Sequence, residues 1–171
     1  MFRTGIGYDS HRFAEGRKLV LGGVAIPSEK GLAGHSDADV LIHALIDALL
    51  GSVADGDIGS HFPDTDETWR GADSRELLKS VVDELRAKGW RIVNTDASVL
   101  AERPKLRPYI DTIRASLAQT LGIDVSRVSV KAKTNEGMDA VGRGEGIGVF
   151  AVASVESEGK GKKGNDHADL Q

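Results

Sequence analysis

The chain has 171 residues, 22 Lys plus Arg against 26 Asp plus Glu, and a formal net charge of -4. That length fits one domain with a full core, and the charge gives no general reason for nucleic-acid or acidic-membrane binding. There is no cysteine, which excludes disulfides, thiolate nucleophiles and thiolate metal sites and leaves His, Asp and Glu as metal ligands. The sequence has no basic-then-apolar leader and no apolar run near the roughly 18 residues of a membrane span, so a cytoplasmic protein is the expectation.

In chain order, residues 2–9 and 18–22 (KLVLG) read as a strand pair joined by a polar loop. Side chains at i and i+2 of a strand share a face, so Asp9 and His11 in GYDSHRF offer a carboxylate and an imidazole to one point. HSDADVLIHALIDALLG then changes to the helical period, with Ser36 as N-cap, Asp39 as capping-box partner and Gly51 as the stop. One stripe of this predicted helix, residues 37–50, carries Asp39, His43 and Asp47. Residues 52–73 are rich in Asp, Gly and Ser and read as a long irregular segment, which in a compact domain is usually functional or disordered.

Ser74 is expected to cap a helix running to about Lys88 and closed by Gly89, with Leu77, Leu78, Val81, Val82 and Leu85 inward. Residues 91–101 read as a strand in which Val93, Thr95, Ala97 and Val99 alternate with Asn94, Asp96 and Ser98. Pro108 suits the first turn of a helix to Leu121, and residues 127–134 and 146–156 are two further strands. The last of these is apolar in both alternating sets, which predicts cover on two faces and self-association. Residues 157–171, with Lys160, Lys162, Lys163 and His167, read as a disordered tail beyond a domain spanning 1–156.

Asp9, His11 and His43 would give three protein ligands with an open position, the pattern of catalytic zinc, with a nearby carboxylate orienting an imidazole. The alternatives are a capped core histidine at His43 and a surface ion pair between Asp9 and Arg12. In GDIGSHFPDTD, Asp57, Asp64 and Asp66 suit a polyhydroxylated ligand, and turn chemistry alone accounts for them equally well. In KAKTNEG and GRGEGIG, Lys131, Lys133, Thr134 and the glycine turns offer donors to phosphate, and Glu136 offers a carboxylate to a divalent cation. Neither stretch matches the P-loop or the dinucleotide fingerprint.

Taken in order, YDSHRF, LGGVAIPSEKGLAGHSDADVLIHALIDALLG, GDIGSHFPDTD, GADSRELL, KAKTNE and GRGEGIG closely resemble the 2-C-methyl-D-erythritol 2,4-cyclodiphosphate synthases of the non-mevalonate isoprenoid pathway. The resemblance runs from about residue 3 to 156. It implies an α/β subunit with a mixed sheet and helices on one face, in a homotrimer whose sheets face the threefold axis and whose active sites lie between subunits. The implied substrate is 4-diphosphocytidyl-2-C-methyl-D-erythritol 2-phosphate. Its 2-phosphate attacks its own β-phosphate, giving the cyclic diphosphate and releasing CMP.

By the same matching, Asp9, His11 and His43 hold one zinc per subunit, with Ser10 beside them in the substrate site. His35, read as catalytic, and Ser36 match donors to the phosphates. Asp57, Ile58, Gly59, Phe62, Pro63, Asp64, Thr65 and Asp66 match the methylerythritol loop. From the adjacent subunit, Ala101, Glu102, Arg103, Pro104, Lys105, Leu106 and Arg107 match the cytidine pocket together with Lys133 and Asn135. Thr134 takes the transition-state-stabilising position and Glu136 holds Mg2+ or Mn2+. Arg143 matches the mouth of the trimer's central channel, where relatives can hold an isoprenoid diphosphate. There this chain reads GMDAV where the family is close to KLGFT or GLGFV. Ala140 replaces the usual phenylalanine and Asp139 adds a negative charge, and both argue against that channel ligand. Lys133 stands where Thr is common, and the tail has no counterpart. A zinc phosphoesterase using His35 or His61 as general base and a non-catalytic nucleotide-binding or isoprenoid-diphosphate-binding trimer are the rival readings.

Overall fold

The longest strand, β1 (Phe2–Ala14), sets the layout of the chain in a computed structural model that describes residues 1–157. It pairs antiparallel with β7 (Gly146–Ser157), from Phe2 opposite Glu156 to Arg12 opposite Gly146. On its other side β7 pairs antiparallel with β5 (Trp90–Leu100), and β5 pairs parallel with β6 (Val128–Lys133). A short β4 (Gly31–Leu32) joins β1 at Phe13 and Ala14, giving the order β4-β1-β7-β5-β6. The helices α1 (Val40–Ser52), α3 (Ser74–Ala87) and α4 (Ile110–Leu121) pack on one face of this mixed sheet, as expected for an α/β subunit. Among the described residues no helix is long and apolar enough to cross a membrane.

Residues 18–22 do not pair with the first strand. β2 (Leu19–Leu21) pairs instead with β3 (Val24–Ile26), because Gly22 and Gly23, with φ of 61° and 74°, form the two-residue turn that needs positive φ at both positions. The start of α1 also differs from the expectation. Its N-cap is Asp39, whose carboxylate accepts from Ile42 N and also from the amides of Gly22 and Gly23 at 2.9 and 2.6 Å. Ser36 lies outside the helix, and Gly51 is inside it. The left-handed residue that follows the helix is Ala54, at φ 59°.

The expected α3 is present, but Asp73 caps it and Ser74 is its first residue. In β5 the core residue is Ile92 and not Val93, because a bulge between Ile92 and Asn94 inserts one residue opposite β7. Pro108 sits in a 3-10 turn, Arg107–Tyr109, ahead of α4, and Gly122 closes that helix at φ 66°. The predicted irregular segment contains α2 (Ile58–His61) and a 3-10 turn at Glu67–Trp69, and α5 (Asp139–Gly142) precedes β7. Ser157 is the last residue of β7, and the rest of the predicted tail, with its lysines and His167, lies outside the described residues.

The placement of α1 depends on glycine. Gly5 and Gly7 sit on the inward face of β1, and a Cβ built on them would lie 2.1 Å from Ala48 O and 2.0 Å from Ala44 O. Backbone therefore packs directly on backbone. The same inward row continues to Asp9 and His11, past the point where the helix begins. On the reverse face Ile6 and Tyr8 are 69% and 52% exposed, beside Phe150 and Val152 at 46% and 38%. The two-sided cover expected for β7 is thus met on one face only within this chain.

Candidate metal centre

Asp9 and His11 come from the end of the β1 row, and His43 comes from the first turns of α1. Asp9 Oδ2 lies 2.9 Å from His11 Nε2 and 3.1 Å from His43 Nδ1, and the two nitrogens are 3.3 Å apart. These separations fit one small cation, since bonds of 2.0–2.1 Å to a tetrahedral zinc put the ligand atoms about 3.3 Å apart. Of the two alternatives, the core histidine is half right, because His43 is 9% exposed but its Nδ1 faces the other two groups. Asp9 turns to the histidines and not to Arg12.

The bonds behind the rings decide which nitrogens face inward. His11 Nδ1–H donates to Ala33 O at 2.5 Å, leaving Nε2 as the acceptor. Behind His43, Ser74 Oγ donates to Asp37 Oδ1 at 2.5 Å and so accepts from His43 Nε2–H at 3.0 Å, with Ser36 Oγ at 3.1 Å. His43 Nδ1 is then also an acceptor. Three acceptors facing one another need a cation or a proton between them. Burial pushes the Asp9 carboxyl up, but the His11 and His43 rings beside it hold it well below the usual carboxylate range. Burial pushes the His11 imidazole down, and Asp9 outweighs it, so that the ring is held above its ordinary value.

The carboxylate that orients His43 is Asp37 acting through Ser74, and neither Asp39 nor Asp47. Asp39 is fully buried in its cap, and Asp47 accepts from Ile58 N at 2.8 Å, tying the 57–66 loop to α1. No spacing rule links Asp37, Ser74 and His43; the one hint in the sequence is that Asp73 is the better cap, which frees Ser74.

The remaining predicted residues are spread around this point. Ser10 faces the reverse side of β1, and its amide donates to Asp9 Oδ1 at 2.8 Å. His35 Nε2 lies 3.3 Å from Asp66 O, and Arg17 fixes the loop by donating to Gly34 O and Ser36 O. The Ser36 hydroxyl is buried against His43, so its side chain is not turned outward as a phosphate donor. Asp57 caps α2 and Asp66 caps the next 3-10 turn, while Phe62 packs edge-on against Trp69 at 5.1 Å. Pro63, Asp64 and Thr65 are exposed between them, and Ile58 and Gly59 lie within α2.

A second grouping, Asp55, His61 and Glu84, has a cation already. Lys88 Nζ donates to Asp55 at 2.6 Å and to Glu84 at 2.8 Å, and His61 Nε2 donates to Asp55 O. This network fastens the start of the 57–66 loop to α3.

The residues that the resemblance assigns to the nucleotide leave the same end of the sheet but not the same place. Thr134 to Glu136 follow β6, three strands from β1, so roughly 14 Å of sheet separates them from the metal centre. Thr134 Oγ1 donates to Glu136 Oε1 at 2.6 Å, and Lys133 is exposed. Arg103, Lys105 and Arg107 are also exposed, with Pro104 half-buried, but Ala101 and Leu106 are 7% and 3% exposed and face the core. Arg143 pairs with Glu145 at 2.6 Å. A cavity of about 850 Å³ opens on the reverse side of the sheet, lined by Tyr8, Ser10, Arg12 and Ala140, with His11 the one triad residue in its wall.

The YgbB family profile matches residues 2–156. A 2-C-methyl-D-erythritol 2,4-cyclodiphosphate synthase from Brachyspira hyodysenteriae is 57% identical over 154 residues, 90% of this chain and 98% of that one. A solved synthase structure in a CDP-bound form superposes with a TM-score of 0.83 at 38% identity, over 90% of this chain and 100% of that one. The bifunctional IspDF from Campylobacter jejuni superposes with a TM-score of 0.89 at 42% identity, over 92% of this chain and 43% of that longer one. The chain belongs to the YgbB family, that of the 2-C-methyl-D-erythritol 2,4-cyclodiphosphate synthases.

Proposed function

We propose that the chain converts 4-diphosphocytidyl-2-C-methyl-D-erythritol 2-phosphate to the 2,4-cyclodiphosphate. The 2-phosphate oxygen bonds to the β-phosphorus, the bond from that phosphorus to the α-phosphate oxygen breaks, and CMP leaves. The observation that carries this reading is the convergence of Asp9 Oδ2, His11 Nε2 and His43 Nδ1 in a member of this family. Zinc held by these three supplies Lewis-acid polarisation of a phosphoryl oxygen. His35 and the 57–66 loop border the methylerythritol phosphate, and their task is to hold two anionic groups in attacking range, an orientation effect rather than covalent catalysis. Thr134, whose hydroxyl donates to Glu136 in the free chain, would turn that proton to the diphosphate, and Glu136 would then be free to hold Mg2+ or Mn2+.

The two sets of residues meet across a subunit boundary in a homotrimer. Their separation within one chain supports this, as does the exposed strip of Ile6, Tyr8, Phe150 and Val152, since contiguous apolar surface of this kind marks association. The test is incubation with the cytidine substrate and mass spectrometry of the products. Equal amounts of cyclic diphosphate and CMP are expected, and His43→Ala should lose both turnover and bound zinc. A non-cyclic phosphate product would make the chain a hydrolase and defeat the reading.

A further inference from the structure

β5 and β6 are parallel, so the segments after them leave the sheet side by side, and the ladder ends where Ala101 N donates to Lys133 O at 2.9 Å. Beyond that point the amides of the 134–137 turn have no strand to pair with. Glu102 replaces the missing strand: its Oε1 accepts from Asn135 N at 2.7 Å and from Gly137 N at 3.4 Å. The turn between these amides is awkward, with Glu136 at φ 50° and Gly137 at φ 77°. A left-handed glutamate persists only where its surroundings hold it. Across the turn, Asn135 Nδ2 donates to Asp139 Oδ2 at 2.7 Å, while Asp139 Oδ1 accepts from Val141 N and Gly142 N at 2.8 and 3.2 Å.

We infer that Glu102 is a positioning residue, which fixes the Thr134–Glu136 turn in its nucleotide-binding shape through the Asn135 and Gly137 amides rather than by touching the nucleotide. This rests on the synthase reading for the role of the turn, but the brace itself does not. One carboxylate oxygen shared by two amides ties the turn to the end of β5, and its bond to Asn135 N, at 2.7 Å and charge-assisted, is the stronger of the two. The neutral Gln side chain keeps an oxygen in the same place, so Glu102→Gln separates the acceptor, which it preserves, from the charge, which it removes.

The test uses the full chain with Glu102→Ala and Glu102→Gln. Amide hydrogen exchange reads the brace without any ligand: Glu102→Ala should speed exchange at Asn135 and Gly137 by about tenfold or more. CDP titration reads the consequence. Glu102→Ala should weaken CDP by roughly tenfold to a hundredfold with bound zinc unchanged, and Glu102→Gln should return affinity to within a few-fold of wild type. Unchanged exchange in Glu102→Ala would overturn the brace. Glu102→Gln as weak for CDP as Glu102→Ala would also overturn it, by assigning direct charge contact, as would loss of zinc together with CDP. Wild-type protein that exchanges slowly at both amides yet fails to bind CDP would instead sink the synthase reading and leave the brace standing.

Discussion

Ser74 and Asp37 determine which nitrogen His43 turns to Asp9, so the metal centre depends on side chains that never reach it. Ser74→Ala leaves His43 Nε2 with only the Ser36 hydroxyl, and zinc affinity should fall by roughly tenfold to a hundredfold while the fold survives. Competition with a chelator measures this; an unchanged zinc constant would mean that Ser36 alone fixes the ring. Asp39 poses a different residue-scale question. Burial pushes its carboxyl from 3.8 up to about 6, with Asp37 adding to the shift and the amides of Gly23, Gly22 and Ile42 opposing it. Between those values the folded chain holds more protons at this site than the unfolded chain, so the site's contribution to stability falls as pH rises through the window and is level above it. Asp39→Asn removes that slope. Its urea midpoint relative to wild type should therefore rise from about pH 4 to about pH 7, whatever the absolute loss of the cap; a constant gap would contradict the shift. The strand period put Asp9 and His11 on one face, and the family resemblance, not any spacing, joined His43 to them. Asp37 behind Ser74 was not legible, because that contact spans 37 residues and joins a loop to the first residue of α3.

Elements with a strong apolar period, such as α3, are legible nearly to the residue, whereas the start of α1 is not. A serine, an aspartate and a second aspartate all precede it, and only the approach of Gly22 and Gly23 selects Asp39. Gly51 misleads for a related reason: local rules make glycine a stop, but here it is an exposed helical residue, and a Cβ added to it would have only Ile6 O nearby, at 3.8 Å. Gly51→Ala should stabilise the chain by about 0.5–1 kcal/mol. Gly7→Ala should do the opposite. Its Cβ would meet Ala44 O at 2.0 Å, so α1 must lift from β1 and carry His43 away from Asp9. A loss of roughly 1–3 kcal/mol or more is expected, together with loss of bound zinc. Thermal melts and elemental analysis of the two variants check both signs, and zinc retained in Gly7→Ala would show that the helix seat tolerates more than its geometry indicates.

At the scale of the whole molecule, the sequence indicated self-association through the two apolar sets of β7, and in one chain the outward set remains exposed, with the Tyr8 and Phe150 rings 4.7 Å apart and tilted at 40°. Phe150→Asp places a charge in that strip, and light scattering should find the proposed trimer for the wild type and monomer for the variant, with activity gone. Shared sites can be tested directly. Mixing inactive His43→Ala and inactive Glu136→Ala chains should restore part of the activity, because some interfaces then pair two intact halves; mixed trimers without turnover would refute the shared site. β1 joins these scales in one strand. Its inward row seats a helix and ends in two ligands, and its outward row presents apolar surface, so sliding it by one residue would exchange the two rows completely. Such a slipped chain would lose its ion and its outer strip together, and each subunit that captures zinc has in effect proofread the strand through which it would meet its neighbours.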